Sequence, residues 1–217
     1  TEVVTGKIKI VDGQMVKREA KEMKDSGIEW MGMIPKEWEV KKLKRCISVN
    51  SGKEVAESVT NEENINVYGS GGAFKKTSKY IYNKESVLFG RKGTIGKPLY
   101  VDEKFWVIDT MYYTTYNIDY MLPKMAYYMF VVFPWGLITT QTALPSVVGT
   151  DIENMKTIIS PIYEQKLIID LLDFKTAQID NLISKQKTQI QKLEAAKQSL
   201  ISEAVTGKID LRDRSEE

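Results

Sequence analysis

The sequence contains no histidine and a single cysteine, Cys46, among its 217 residues. Without histidine, the chain cannot build a Ser–His–Asp triad, a histidine general base or a site that uses the commonest metal ligand of proteins. One cysteine excludes an intrachain disulfide and a cysteine-based zinc cluster, and such sparing use suits a reducing compartment. We therefore expect a cytoplasmic protein that uses neither histidine nor thiolate chemistry.

Long hydrophobic runs and a strong net charge are also missing. The most apolar stretch, residues 125–138, contains Pro134 and is too short to span a bilayer, so it predicts buried core. Lys and Arg number 31 against 29 Asp and Glu, so overall charge does not predict nucleic-acid binding, which would need local clustering. An apolar content of 42% is enough for the core of one large domain, or of one medium domain with an extension.

One eight-residue segment occurs twice, as TEVVTGKI at residues 1–8 and as SEAVTGKI at residues 202–209. Six of the eight positions are identical, and the copies are 201 residues apart, far beyond the period of solenoid repeats. We expect one unit to begin where an earlier copy of itself ended. The lack of an initiating methionine fits a cut inside a longer, duplicated protein.

The middle of the chain predicts an α+β domain. Residues 9–34 are polar and glycine-containing, which is typical of a connector. From residue 35, short β-prone runs alternate with turn clusters; these runs are 65–69, 79–83, 86–90, 97–101, 105–108 and 111–118. A helix with its loop is expected over 122–137, and a loop followed by a strand over 142–152. The globular domain therefore covers about 35–160.

Helical periodicity replaces this pattern at Pro161, a residue suited to a first helical turn. One helix is predicted over 161–172 and another over 176–206, about 45 Å long. Two interleaved series of positions, each seven residues apart, form a coiled-coil seam; they are Ile179, Gln186, Leu193 and Leu200, and Ile183, Ile190, Lys197 and Ala204. The long helix ends at Gly207. It is expected to pair with a helix of the same molecule or of a partner, the alternative being an ordinary amphipathic helix on its own domain.

A local basic cluster lies between residues 74 and 104, with eight cations against three acids and with interleaved aromatics. Two glycine-rich loops, YGSGGAFKK at 68–76 and GRKGTIGK at 90–97, bracket it. Glycine allows close backbone approach, and adjacent Lys and Arg bind phosphate. Neither loop matches a nucleotide-binding motif. The alternative is a pair of plain β-turns with solvated lysines.

One nuclease-like pattern is present, with Asp151 followed by Glu164 and Lys166. Paired acids with a lysine could hold Mg²⁺ and activate water. Glu164 and Lys166 fall in the first turns of the predicted helix, however, where an acid is favoured by the helix dipole alone. The pattern therefore favours a helix surface over a catalytic site.

Several ordered segments closely resemble the DNA-specificity (S) subunits of type I restriction-modification systems. They are residues 24–45, GRKGTIG, TALPSVVGTDI at 142–152, PIYEQKLIIDLLD at 161–173 and residues 175–210. The resemblance implies target-recognition domains, each followed by a long helix, with the helices packed as an antiparallel coiled coil. Each domain would read one half of a bipartite target. The chain would itself be non-catalytic and would position modification (methyltransferase) and restriction/translocase subunits, to which S-adenosylmethionine, ATP and Mg²⁺ would belong.

On this interpretation, residues 1–34 are the end of a preceding helix and a linker, 35–160 are the DNA target-recognition domain, 161–206 are the helical spacer and 207–217 are a tail. The partners are double-stranded DNA and a second recognition half, from the same polypeptide or a homodimer. Candidate DNA contacts lie in the two glycine-rich loops and the 139–147 loop; they are Ser70, Lys75, Arg91, Lys92, Thr94, Gln141, Thr142 and Ser146. The alternatives are a Mg²⁺-dependent nuclease using Asp151 and Glu164, and a coiled-coil scaffold without a DNA role.

Overall fold

The computed structural model describes residues 1–55, 64–140 and 142–208. The chain divides into two compact units, Thr1–Ile169 and Asp170–Glu217. The strands are β1 Ile8–Val11, β2 Gln14–Lys17, β3 Met23–Asp25, β4 Met33–Pro35, β5 Glu39–Lys42, β6 Ile47–Ser51, β7 Ile65–Gly69, β8 Gly72–Thr77, β9 Ser86–Gly90, β10 Leu99–Val101, β11 Phe105–Val107, β12 Met111–Tyr116 and β13 Lys156–Ile159. The α-helices are α1 Pro123–Val131, α2 Gly149–Asn154 and α3 Ile162–Val205.

Two small sheets form the centre of the first unit. One has four antiparallel strands in the order β10-β9-β12-β6, and the other has the order β11-β7-β8 with β11 parallel to β7. All five residues of β9 are buried, whereas four of the six residues of edge strand β8 are exposed. The expected α+β class with a long C-terminal helix is confirmed.

An aromatic cluster forms much of the core between β9 and α1. The Phe89 ring lies 5.2 Å from that of Phe130 and 5.1 Å from that of Trp135, and Phe130 stacks on Trp135 at 5.6 Å between centroids. Helix α1 begins at Pro123, whose fixed φ suits the first turn. Half of the apolar run 125–138 is buried here and only three of its residues are exposed, which confirms its assignment to the core.

Most of the predicted strands are present, with two differences. Residues 79–83 form no strand and contribute only an isolated bridge from Tyr82 to Phe105. The expected strand within 142–152 is instead the start of α2, because the chain turns into a helix at Gly149, which packs against Val49 and Tyr112. The strand that follows, β13, pairs with β5, and neither was expected from the sequence.

The polar N-terminal segment is folded, unlike the connector expected from its composition. Strands β1 and β2 pair with each other, as do β3 and β4, and residues 1–34 belong to the first unit. Every residue of β2 is exposed, so the strand has no alternation of buried and exposed residues from which it could be predicted. The buried residues of the segment include the apolar Val4, Met31 and Ile34 and the polar Thr5.

Buried polar contacts hold the first turns of α3. Glu164, 8% exposed, forms an ion pair with Arg18 and accepts a hydrogen bond from the indole Nε1 of Trp38 at 2.7 Å. The fully buried Gln165 donates to the carbonyl oxygens of Tyr120 and Ser160 and accepts from the Leu122 amide. The expectation that Glu164 lies on a helix surface is therefore wrong, because the pattern of apolar residues does not reveal a buried acid that has two partners.

The second unit contains the rest of α3. The two predicted helices form one continuous helix of 44 residues, about 66 Å long. Beyond residue 173 its apolar side chains are exposed, including Ile179 at 54%, Leu193 at 70% and Val205 at 81%. Leu182 and Ile201, outside the predicted series, widen this apolar stripe. None of the helices in the described ranges is long and apolar enough to cross a bilayer.

We predict that Glu164→Ala destabilises the first unit by about 3–5 kcal/mol, because it leaves the Arg18 charge and the Trp38 N–H without an acceptor. Urea unfolding followed by tryptophan fluorescence measures the change. Asp170→Ala, which removes an exposed acid from the same helix, is the matched control and should have little effect. Equal stabilities for the two variants would contradict this account of the helix start.

Candidate functional site

Three strands end around one turn, residues 108–111, and bring separate loops together. The Arg91 amide donates to the Thr110 carbonyl at 2.8 Å, and the Ile108 amide donates to the Tyr68 carbonyl at 3.1 Å. The Gly52 amide donates to the Met111 carbonyl at 3.0 Å, just after β6 ends. The ends of β6, β7 and β9 therefore meet here. We call residues 52–53, 69–72, 90–97, 108–110, 139–140 and 142–147 the strand-end surface.

The 90–97 loop folds back tightly on itself. A Cβ on Gly90 would collide with the Thr94 carbonyl, and a Cβ on Gly96 would lie 3.2 Å from the Trp135 ring. Gly93 and Gly96 have φ values of +81° and +79°, which side-chain-bearing residues rarely adopt. The glycines are thus required by close approach and backbone conformation.

The 139–147 loop is hydrogen-bonded to the 90–97 loop. The Val147 amide donates to the Arg91 carbonyl and the Gly93 amide donates to the Pro145 carbonyl, both at 3.0 Å. Lys92 and Ser146 form a β-bridge. The Thr140 hydroxyl lies 3.0 Å from that of Ser146 and accepts from the Ser146 amide. The 90–97 and 139–147 loops, which were identified separately in the sequence, are therefore held together by hydrogen bonds.

Arg91 is the best-positioned cation of this surface. Its guanidinium carbon lies 5.8 Å from the centre of the Tyr112 ring, within the range of a cation–π contact. The Tyr112 hydroxyl in turn accepts from the Gly149 amide at 3.1 Å. Arg91 itself is partly exposed, so its fork can reach an external acceptor from a supported position.

The other predicted contacts divide into two groups. Lys92, Thr94 and Thr142 are exposed, and Ser146 is partly exposed, on the joined loops. Gln141 lies outside the described residues. Ser70 is in the two-residue turn of the β7–β8 hairpin, and Lys75 is exposed on β8, about 10 Å along the strand from Gly72.

Most of the 68–76 segment lies in β7 and β8, which are joined by a two-residue turn at 70–71. Lys75 and Lys76 are exposed on β8, which fits the alternative of a plain β-turn with solvated lysines. Gly69 allows the Phe74 ring to lie against it, since a Cβ there would be 3.2 Å from that ring. What Lys75 binds stays a prediction.

Sequence reasoning missed two basic features. Lys53 is exposed on the strand-end surface, where its amide donates to the Val107 carbonyl; it shares the surface with an exposed acid, Asp109. At the opposite end of β12 is an open groove of about 740 Å³, lined by Lys41, Lys42, Lys44, Arg45, Asn117 and Tyr120. The signal for this groove was present, because KKLKR places four cations in five positions.

Cys46, which follows the groove residue Arg45 in the sequence, is unsuited to thiol chemistry. Cys46, which accepts a hydrogen bond from the Asn117 amide through its carbonyl, is fully buried, and burial raises the pKa of its thiol to about 11. The thiol is therefore protonated and inert at neutral pH. Lys41 forms an ion pair with Glu39 at 2.7 Å and lies 4.3 Å from the centre of the Tyr120 ring.

The nuclease alternative gains no support from this geometry. Glu164 is committed to Arg18 and Trp38, whereas Asp151 is exposed in the first turn of α2. Within the described part of the chain, no group of three or more His, Cys, Asp or Glu side chains could hold a metal ion.

Three solved structures are similar to this chain. The S subunit of a type I restriction-modification system from M. genitalium matches with a TM-score of 0.56 and 17% identity, over 68% of this chain and 41% of that one. The HsdS subunit from Thermoanaerobacter tengcongensis gives 0.58 and 16%, over 88% and 49%. A structure described as showing complex assembly and conformational transition of the type I R-M system gives 0.66 and 16%, over 85% and 49%. No curated protein matches significantly.

These likenesses establish the fold, and this chain spans about half the length of the structures that it matches. Family membership comes from the sequence, of which residues 35–195 match the family described as the type I restriction modification DNA specificity domain. The matched residues include β5 to β13 and most of α3. The chain therefore belongs to the family of type I restriction-modification DNA specificity domains.

Proposed function

We propose that the first unit reads one half of a bipartite DNA target through the strand-end surface. The observation that carries the proposal is the supported position of Arg91, which lies over Tyr112 on a loop fixed by Gly90 and by the 139–147 loop. A guanidinium held in this way is suited to bidentate bonding with guanine O6 and N7 in the major groove. Rigid support matters because specificity requires the fork to keep its orientation.

The neighbouring side chains have complementary roles. Lys53, Lys75 and Lys92 would bind phosphates, which sets affinity and register without reading sequence. The hydroxyls of Ser70, Thr94, Thr142 and Ser146 can contact either phosphates or base edges, and Gln141 has the chemistry to read adenine. This set would bind and orient DNA, and we propose that the recognition unit is not catalytic by itself.

We predict that Arg91→Ala relaxes sequence preference, with a loss of about 1–3 kcal/mol of discrimination at one base pair. Titration of a randomised duplex library, sequenced after selection, measures this. Lys44→Ala removes an exposed cation from the groove at the other end of β12 and is the control, which should keep the preference.

Lys92→Ala should instead weaken binding to all duplexes alike and reduce the slope of log K against log salt by about 0.9.

A sequence preference that is unchanged in Arg91→Ala but lost in Lys44→Ala would overturn the placement of the reading surface. A parent chain that leaves duplex DNA unshifted at low salt would favour the scaffold alternative.

The exposed stripe of α3 supplies the second half of the proposal. Apolar side chains such as Ile190 and Leu193 are uncovered over many turns, which is unfavourable for an isolated helix in water. The matched structures are about twice as long as this chain, which leaves room in them for a second unit. We propose that α3 pairs with an equivalent helix, from the same polypeptide or a second copy, and separates two reading domains by a fixed distance. Half-sites one helical turn apart are about 34–36 Å apart, well within the length of such a helix.

We predict that the isolated chain self-associates through this stripe and that Leu193→Glu makes it monomeric. The substitution places a charge at a side chain that is 70% exposed, so the fold of the single chain should survive. Ala195→Glu adds the same charge about 200° around the helix and should leave association intact. Sedimentation velocity distinguishes the two, and equal behaviour of the variants would contradict pairing through the stripe.

The remaining roles belong to partner subunits. We propose that the specificity unit positions modification subunits that methylate adenine with S-adenosylmethionine, and restriction subunits that need ATP and Mg²⁺. This chain would hold none of these cofactors. The basic groove lined by Lys41 and Arg45 lies at the opposite end of β12 from the strand-end surface and is separate from it.

A further inference from the structure

Residues 1–7 and 202–208, the described parts of the two copies of the repeated segment, have the same backbone structure. In the N-terminal copy, the amides of Thr5, Gly6 and Lys7 donate to the carbonyls of residues 1, 3 and 2. In the C-terminal copy, the amides of Thr206, Gly207 and Lys208 donate to the carbonyls of residues 202, 204 and 203, the same pattern shifted by 201. The threonine hydroxyls bond back to residues 1 and 202. Gly6 and Gly207 have φ values of +74° and +70°, as expected for a Schellman helix cap.

The N-terminal cap is docked in a groove of its own domain. Val4 and Thr5 are only 4% and 2% exposed. A Cβ on Gly6 would lie 2.6 Å from the Pro35 ring and 2.9 Å from the Trp38 ring, so the groove admits only glycine at this position. Val4 and Thr5 also line one small cavity together with Trp30 and Met31. We call the groove that holds residues 4–6, formed by Trp30, Met31, Pro35 and Trp38, the cap groove.

The C-terminal cap has the same valine, threonine and glycine at positions 205–207, but there they are exposed. Val205, the counterpart of Val4, is 81% exposed, and Thr206 is exposed as well. Among the residues that the structure describes, nothing lies within 4 Å of a Cβ placed on Gly207. The sequence therefore repeats the buried residues of a docked cap at a position where they are solvent-exposed.

We propose that residues 204–207 are a plug for the cap groove of a second domain of this same kind. In that domain, Val205 would take the place of Val4, and Gly207 would pass the proline and tryptophan as Gly6 does here. The occupant is specified by shape, since the groove wall excludes a side chain at the glycine, and by sequence, since six of eight positions of the two segments are identical. The proposal concerns association of domains and is independent of DNA reading.

The groove position gives this contact a mechanical role. Trp38 touches the cap at Gly6 and also donates through its indole N–H to Glu164 in the first turns of α3. The end of one long helix would therefore dock on the same tryptophan that holds the start of the next. A plugged cap would couple successive helices through a rigid side chain, which fixes each domain relative to the helix that precedes it.

A tandem chain tests the proposal, with residues 1–208 followed directly by residues 8–217 so that Lys208 stands in the place of Lys7. In the single chain, Val4→Asp should lower the melting temperature by about 10 °C, whereas Val205→Asp should leave it unchanged. In the tandem, Val205→Asp in the first copy should split the melting curve. The second domain, whose groove that valine would fill, should then melt at the temperature of the Val4→Asp chain. Ser202→Asp adds the same charge to an exposed position of the cap and should leave the tandem melt intact.

A tandem in which Val205→Asp melts like the parent would overturn the proposal, as would a single chain that Val4→Asp does not destabilise. Since no DNA is present, failure of this test is distinguishable from failure of the proposed reading function.

Discussion

The buried hydrogen bond from Trp38 to Glu164 is the contact on which the first unit depends most. It joins the segment after β4 to the first turns of α3, and the ion pair of Glu164 with Arg18 adds the N-terminal strands to the same point. A buried carboxylate is tolerated only with such partners, so each of the three residues requires the other two. The start of the long helix is thereby fixed within the unit that carries the loops.

Those loops are specified by a second constraint, close backbone approach at glycine. Gly90 lets the 90–97 loop close on Thr94, and the 139–147 loop then bonds to the exposed edge of the closed loop. The result is a supported surface whose exposed side chains can vary without disturbing the strands beneath, because the loop shape depends on glycines and backbone bonds.

Periodicity and glycine spacing made much of this predictable. The runs 65–69 and 86–90 are rich in β-prone residues, which predicts strands β7 and β9. The apolar series from Ile179 to Leu200 predicts a long helix whose apolar side is not covered by its own domain. The folded N-terminal strands were not predicted, because β2 is exposed at every residue and shows no pattern. The partners of Glu164 and the link between the 90–97 and 139–147 loops are long-range contacts, which no local signal reveals. The cation run at 41–45 was readable and was missed.

The central claim is that this chain sets the DNA target of a methylating complex. Genome-wide mapping of adenine methylation, in cells with and without the gene, tests it most directly. The account predicts a bipartite methylated motif that disappears on deletion and returns with the parent gene, but returns with relaxed sequence in one half for Arg91→Ala. A methylation pattern that is the same with and without the gene would contradict it.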